Sequence, residues 1–189
     1  MGRWQPDSRG RLQEAALALY SERGFDQTTA AQIAVRAGVT ERTFFRHFAD
    51  KREVLFGGSA LLKDRIVDGV AGAPPEDGPL DAVACGLAAA ATMLGEFRRD
   101  LSRQRHAVIA ANPGLREREL AKLADYAAAV AATLRQRGVN EPRATLAAEA
   151  GMTVLRVAVQ RWASGDDGRD LAVIMRDSVA ELRAMAAVG

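Results

Sequence analysis

Proline constrains this chain more than any other residue. All six prolines lie at positions 6, 74, 75, 79, 113 and 142. Inside an α-helix a proline removes a backbone hydrogen bond and clashes with the preceding turn. The long proline-free intervals are therefore open to helix. Alanine occurs 38 times and aromatic residues make up only 5%. Alanine is the best helix former, whereas strands favour β-branched and aromatic residues. No run alternates apolar and polar residues with a period of two. The expected fold class is all-α, with about nine helices and no sheet.

Capping residues and breakers divide the intervals. Leu12, Ala15, Ala16, Leu19 and Tyr20 form one apolar stripe on a helix over Ser8 to Arg23, stopped by Gly24, with Phe25 packing back. Thr28 or Thr29 caps a short second helix that turns Ile33 and Ala34 inward. After Arg36-Ala37-Gly38, a third helix runs from Val39 to His47. Asp50 caps a fourth that begins at Lys51 and includes Val54, Leu55 and Phe56. Val70 to Pro79 reads as a linker. Further helices are expected at about 79–97, 99–111, 114–137, 143–164 and 168–187.

Composition narrows the function. Residues 1–56 carry nine Arg/Lys against seven Asp/Glu, while the remainder is balanced at seventeen each. The excess positive charge is thus N-terminal but small. No stretch of about 18 apolar residues is free of charge, and charges interrupt residues 1–10, so neither a membrane span nor an export signal is expected. The expected location is cytoplasmic. One cysteine, Cys85, and two histidines, His47 and His106, leave no disulfide and little for a zinc site or a catalytic triad. The expectation is a non-enzyme with no cofactor and no metal.

The stretch Thr28 to Phe56 carries the function. Two short helices flank a break that contains one glycine. Small Ala34 lets the helices cross closely, and Gly38 can take the positive φ that a sharp turn needs. Ile33, Val39 and Phe44 point inward. That is the arrangement of a helix-turn-helix. Its second helix would present Thr40, Glu41, Arg42, Thr43 and Arg46 outward, residue types suited to base edges and phosphates. Phe44 and Phe48 read as core.

Residues 9–56 resemble the DNA-binding domain of the TetR family of transcriptional repressors. The resemblance rests on Arg-Gly-Phe at 23–25, Thr-Thr at 28–29, Ile-Ala at 33–34, Ala-Gly-Val at 37–39, and Phe48, Lys51 and Leu55. It implies a DNA-binding domain over 1–49, a connecting helix over 50–69 and a helical ligand-binding and dimerisation domain over 70–189. It also implies DNA contact by Thr28, Thr29, Thr40, Arg42, Thr43, Phe45, Arg46, His47 and Lys51. Thr28 and Thr29 would cap the second helix and touch phosphate. Lys51 would lie at an anion-binding helix start. Phe45 departs from the family's usual tyrosine, so one phosphate-binding hydroxyl is missing.

The implied partners are a double-stranded palindromic operator, a second copy of the chain, and a small hydrophobic or amphipathic ligand. The dimer interface would use the last two helices through Ala150, Val154, Ala158, Trp162, Ile174, Met175 and Leu182. Pocket candidates are Leu87, Met93, Leu94, Phe97, Leu123, Tyr126, Met152 and Leu155, with Arg103, His106 and Arg156 as polar anchors. The run Asn112 to Arg116, together with Leu155-Arg156-Val157-Ala158 and Arg161 to Gly165, resembles regulators that answer to acyl-CoA thioesters. A helical small-molecule binder without sequence-specific DNA binding is the alternative. Gly57-Gly58, inside the expected fourth helix, would be a soft point in the relay between the domains, which substitution of both by alanine would stiffen.

Overall fold

Helix ends fall where the caps and breakers stand. The computed structural model describes residues 8–95, 99–165 and 168–187. Among these there are nine α-helices and no strand: α1 Ser8–Arg23, α2 Ala30–Arg36, α3 Glu41–His47, α4 Ser59–Ala71, α5 Pro79–Gly95, α6 Arg99–Ala111, α7 Pro113–Gln136, α8 Arg143–Ser164 and α9 Leu171–Ala187. No single helix among them is long and apolar enough to cross a membrane.

The expected fourth helix is not continuous. Asp50 Oδ1 accepts the Arg52 and Glu53 amides at 2.7 and 3.0 Å, as a cap should. The turn it starts is a short 3-10 segment, Glu53–Phe56. Gly57 is then extended and Gly58 has φ +97°, so α4 begins only at Ser59. A Cβ on Gly57 would come within 2.6 Å of Gln13 Nε2, and any side chain at Gly58 would strain the backbone. Alanine at both positions would distort this joint, not stiffen a helix, which corrects the expected soft point.

The chain divides into two compact units. The first lies within Met1–Gly58 and Leu101–Glu119, the second within Ser59–Asp100 and Leu120–Gly189. These units cut across the boundaries expected at 49/50 and 69/70. The reason is a shared core: Val108, Ile109 and Leu115 pack in one cluster with Leu12, Tyr20, Phe44, Phe48 and Phe56. Polar groups hold the same corner. Arg105 Nε donates to the Leu55 carbonyl at 2.7 Å, and Arg118 Nε donates to Glu53 Oε1 at 2.6 Å.

The second unit packs through small residues. Gly86 is buried, and a Cβ there would lie 2.6 Å from the Ile66 carbonyl; a Cβ on Gly69 would lie 2.7 Å from the Gly86 Cα. The backbones of α4 and α5 therefore nearly touch. Gly151 of α8 faces Val83 of α5 with the same lack of space. The Arg137 guanidinium donates to the carbonyls of Ala71, Ala73 and Pro74, ordering the end of α4 and the start of the linker. The Tyr126 hydroxyl donates to the Ser59 carbonyl at 2.8 Å and ties down the start of α4.

Candidate nucleic-acid interface

The helix-turn-helix is built from local chemistry. Thr29 caps α2 reciprocally: its hydroxyl accepts the Gln32 amide at 3.2 Å, and Gln32 Oε1 accepts the Thr29 amide at 2.9 Å. α2 ends in a Schellman turn. The Gly38 amide donates to the Val35 carbonyl and the Val39 amide to the Ala34 carbonyl, with Gly38 at φ +68°. Thr40 then caps α3, its hydroxyl accepting the Thr43 amide at 3.2 Å and lying 3.0 Å from Thr43 Oγ1. Phe44 is fully buried and Phe48 nearly so, while Glu41, Arg42, Phe45 and Arg46 are exposed. α3 is anchored on one side and presents a charged surface with one aromatic ring on the other. Arg42 and Arg46 are one turn apart, suited to phosphate and guanine edges.

The expected contact residues divide. Thr29, Thr40, Arg42, Phe45 and Arg46 are exposed, and Thr43 and His47 are half-buried. His47 Nε2 lies 2.9 Å from Ser8 Oγ, so the end of α3 is tied to the start of α1.

Two expectations are corrected. Thr28 is 0% exposed, and its hydroxyl donates to the Gly24 and Leu19 carbonyls at 2.9 and 3.5 Å. It closes the α1–α2 loop and cannot reach a phosphate. Lys51 is a clamp in place of an anion site. Its ammonium donates to the carbonyls of Phe25, Asp26 and Thr28 at 2.8, 3.2 and 2.9 Å, and it lies 4.4 Å from the centre of the Phe25 ring. An ammonium has three donors, and all three are engaged. The Lys51 carbonyl accepts the Tyr20 hydroxyl at 2.5 Å. Burial, helped by the Asp50 carboxylate, pushes that hydroxyl well above the usual tyrosine range, so it remains a donor. Positions 20, 25, 28 and 51 have no periodic spacing, so sequence reasoning missed this clamp. The one available signal was an Arg-Gly-Phe turn followed by two threonines.

The expected ligand residues fall in both units. Arg103 and His106 lie on α6 in the first, exposed and half-buried respectively. Leu87, Tyr126, Met152 and Leu155 are buried in the core of the second, with Leu94 and Leu123 packed against it. Met93 is half-buried and Arg156 exposed. Phe97 lies outside the described residues. Among the described residues no group of three or more His, Cys, Asp or Glu gathers as a metal site would require.

Most of the expected dimer residues are already covered within the single chain. Val154, Ala158, Trp162, Ile174 and Met175 are 5% exposed or less, buried in the core that α8 and α9 build with α5. The Arg99 guanidinium lies 5.4 Å from the centre of the Trp162 ring. Side chains already covered in one chain have little area left for a second. Ala150 and Leu182 are half-buried, and the large apolar residues that α8 and α9 leave exposed are Leu146 and Met185. A single apolar stripe reads alike for a core face and for an interface, which is why the sequence did not separate them.

Comparison with known proteins agrees with this geometry. Residues 12–56 match the model of bacterial regulatory proteins of the tetR family, and residues 77–187 match the MftR C-terminal domain. The regulator TcmR of Streptomyces glaucescens is 35% identical over 98 residues, covering 52% of this chain and 39% of TcmR. The repressor KstR2 of Mycobacterium tuberculosis is 43% identical over 47 residues, 25% of this chain and 24% of KstR2. The chain thus matches well under half the length of these relatives. Among solved structures, FadR of Thermus thermophilus with lauroyl-CoA superposes with a TM-score of 0.56 at 25% identity, covering 96% of each chain. FadR of Bacillus subtilis with stearoyl-CoA gives 0.59 at 20% identity, covering 92% of this chain and 96% of that one, a likeness of fold. A capped, core-anchored helix-turn-helix and a helical domain matched over more than half the chain lead to one assignment: this protein belongs to the TetR family of transcriptional regulators.

Proposed function

We propose that the protein is a repressor that binds a palindromic operator as a homodimer and is released by a small hydrophobic or amphipathic ligand. The observation that carries the reading is α3, fixed to the core by Phe44 and Phe48 while Arg42 and Arg46 stand free of it. A helix held from behind with cations in front suits the major groove. In a two-fold dimer, two such helices would meet successive turns of one DNA face, about 34–36 Å apart or somewhat more. For the second copy, the exposed faces of α8 and α9 around Leu146, Ala150 and Met185 replace the buried five residues as the candidate contact.

An acyl-CoA thioester is the leading ligand class. It is supported by the lauroyl-CoA complex of the Thermus relative, which covers the chain almost end to end, and by the apolar character of Leu87, Met93, Leu94, Leu123 and Met152. A thioester with a long tail would need such walls together with cationic groups for its phosphates. Fluorescence anisotropy of an operator duplex with added lauroyl-CoA tests this. Release by the thioester, but not by coenzyme A or dodecanoate alone, is expected. Unaltered DNA binding at saturating acyl-CoA of every chain length would overturn the ligand class and leave the repressor reading standing.

A further inference from the structure

The outward surface of α3 holds one side chain that can make neither an ionic nor a hydrogen-bonded contact with DNA. Phe45 is 53% exposed, set among exposed Glu41, Arg42 and Arg46. Within the first unit, the only other large apolar side chain exposed to this degree among the described residues is Val35 on α2. The Phe45 ring is held in place. It meets the fully buried Phe44 ring edge-on, with centroids 5.2 Å apart and planes at 83°, and Phe48 backs Phe44 at 5.8 Å. Such edge-to-face pairs favour one orientation. The helix-turn-helix core therefore sets the direction of an exposed ring.

A phenyl ring has neither donor nor acceptor. It can bond neither to a phosphate oxygen nor to the polar edge of a base. The major groove carries one apolar group with sequence information, the 5-methyl of thymine. Phe45 lies three residues beyond Arg42, so both project from adjacent turns of α3. We propose that Phe45 is a specificity-determining residue that reads a thymine methyl in each half-site, beside the base pair that Arg42 contacts. The proposal rests on the reading that α3 enters the major groove. It also gives the exposed ring something to bury on binding, since covering both ring and methyl removes apolar surface from water.

The test uses the full-length protein and a duplex chosen by selection from random sequence. Each thymine is replaced in turn by deoxyuridine, which keeps the pairing and removes only the methyl. Wild type should lose roughly three- to fivefold in affinity at one thymine per half-site, the effect of withdrawing one buried methyl. F45A should bind the thymine and uracil duplexes equally, and F45Y, which keeps the ring, should retain the discrimination. Equal binding by wild type at every replaced position would overturn the proposal, as would undiminished discrimination by F45A. Should F45A fail to fold, F45Q, polar at the same exposed position, takes its place and should bind the two duplexes equally. The absence of any enriched duplex would overturn the DNA-binding reading itself and Phe45's role with it, an outcome distinct from an enriched duplex that tolerates uracil throughout.

Discussion

The two units are stabilised in opposite ways. The first is built around large side chains: Leu12, Tyr20, Phe44, Phe48 and Phe56 fill its core, and long polar groups such as Lys51, Arg105 and Arg118 fasten its loops. The second closes through small ones. Gly69, Gly86 and Gly151 bring helices to near backbone contact, and Ala82, Ala90, Ala144, Ala148 and Ala158 are fully buried. The first should therefore suffer most from removal of atoms and the second from their addition. Side chains aimed outward from α3 need a rigid support, which the aromatic core provides. The second unit gains its close packing from the shortness of its side chains.

The largest effect expected is F44A, which empties the centre of the first unit. It should cost about 3–5 kcal/mol in chemical denaturation and abolish specific DNA binding. Next is G86A, whose added methyl meets the Ile66 carbonyl and the Val70 side chain. Overpacking of this kind costs about 1–3 kcal/mol. A melt of G86A as stable as wild type would undo the comparison between the two units.

K51M is a smaller and sharper case. Loss of three bonds from an ammonium should destabilise by about 1–2 kcal/mol. Because Lys51 is already occupied, the slope of log affinity against log salt should stay unchanged, whereas loss of a phosphate contact would flatten it by about 0.9. R46A should flatten it by about that amount and leave stability intact.

The smallest effect belongs to Glu22, which pairs with Arg36 at 2.6 Å on the surface. Its hydrogen bond to Arg36, more than simple charge attraction, holds the carboxyl below the usual glutamate range. A lowered folded pKa contributes stability above the ordinary carboxylate range and loses it as pH falls through the folded value. E22Q should differ slightly from wild type at neutral pH and coincide with it in strong acid.

The sequence made the helices legible because proline, glycine and capping residues act locally. The ends of α1, α6, α8 and the capped start of α2 fall within a few residues of the expected positions. The start of α3 was legible for the same reason, since Gly38, Thr40 and Phe44 act within one turn of their neighbours. Long-range partnerships were not. Thr28 and Lys51 resemble DNA contacts when read as polar residues beside a helix-turn-helix. Only the fold shows Thr28 sealed beneath the α1–α2 loop and Lys51 bonded to carbonyls more than twenty residues away. The stripe on α8 and α9 was ambiguous for a related reason. Helical period identifies a face but not what covers it, and here α5 covers much of it. Gly57-Gly58 was visible as an oddity in a helix; its positive φ and the approach of Gln13 make it a break.

The central claim is that α3 reads DNA as one of a symmetric pair. Selection from random duplexes, followed by titration of the winner with wild type and R42A, tests it most directly. The expected result is a palindromic site bound by two chains, an affinity that falls steeply with salt, and relaxed base preference at one position per half-site in R42A. No enriched sequence, or a site bound identically by R42A, would contradict it.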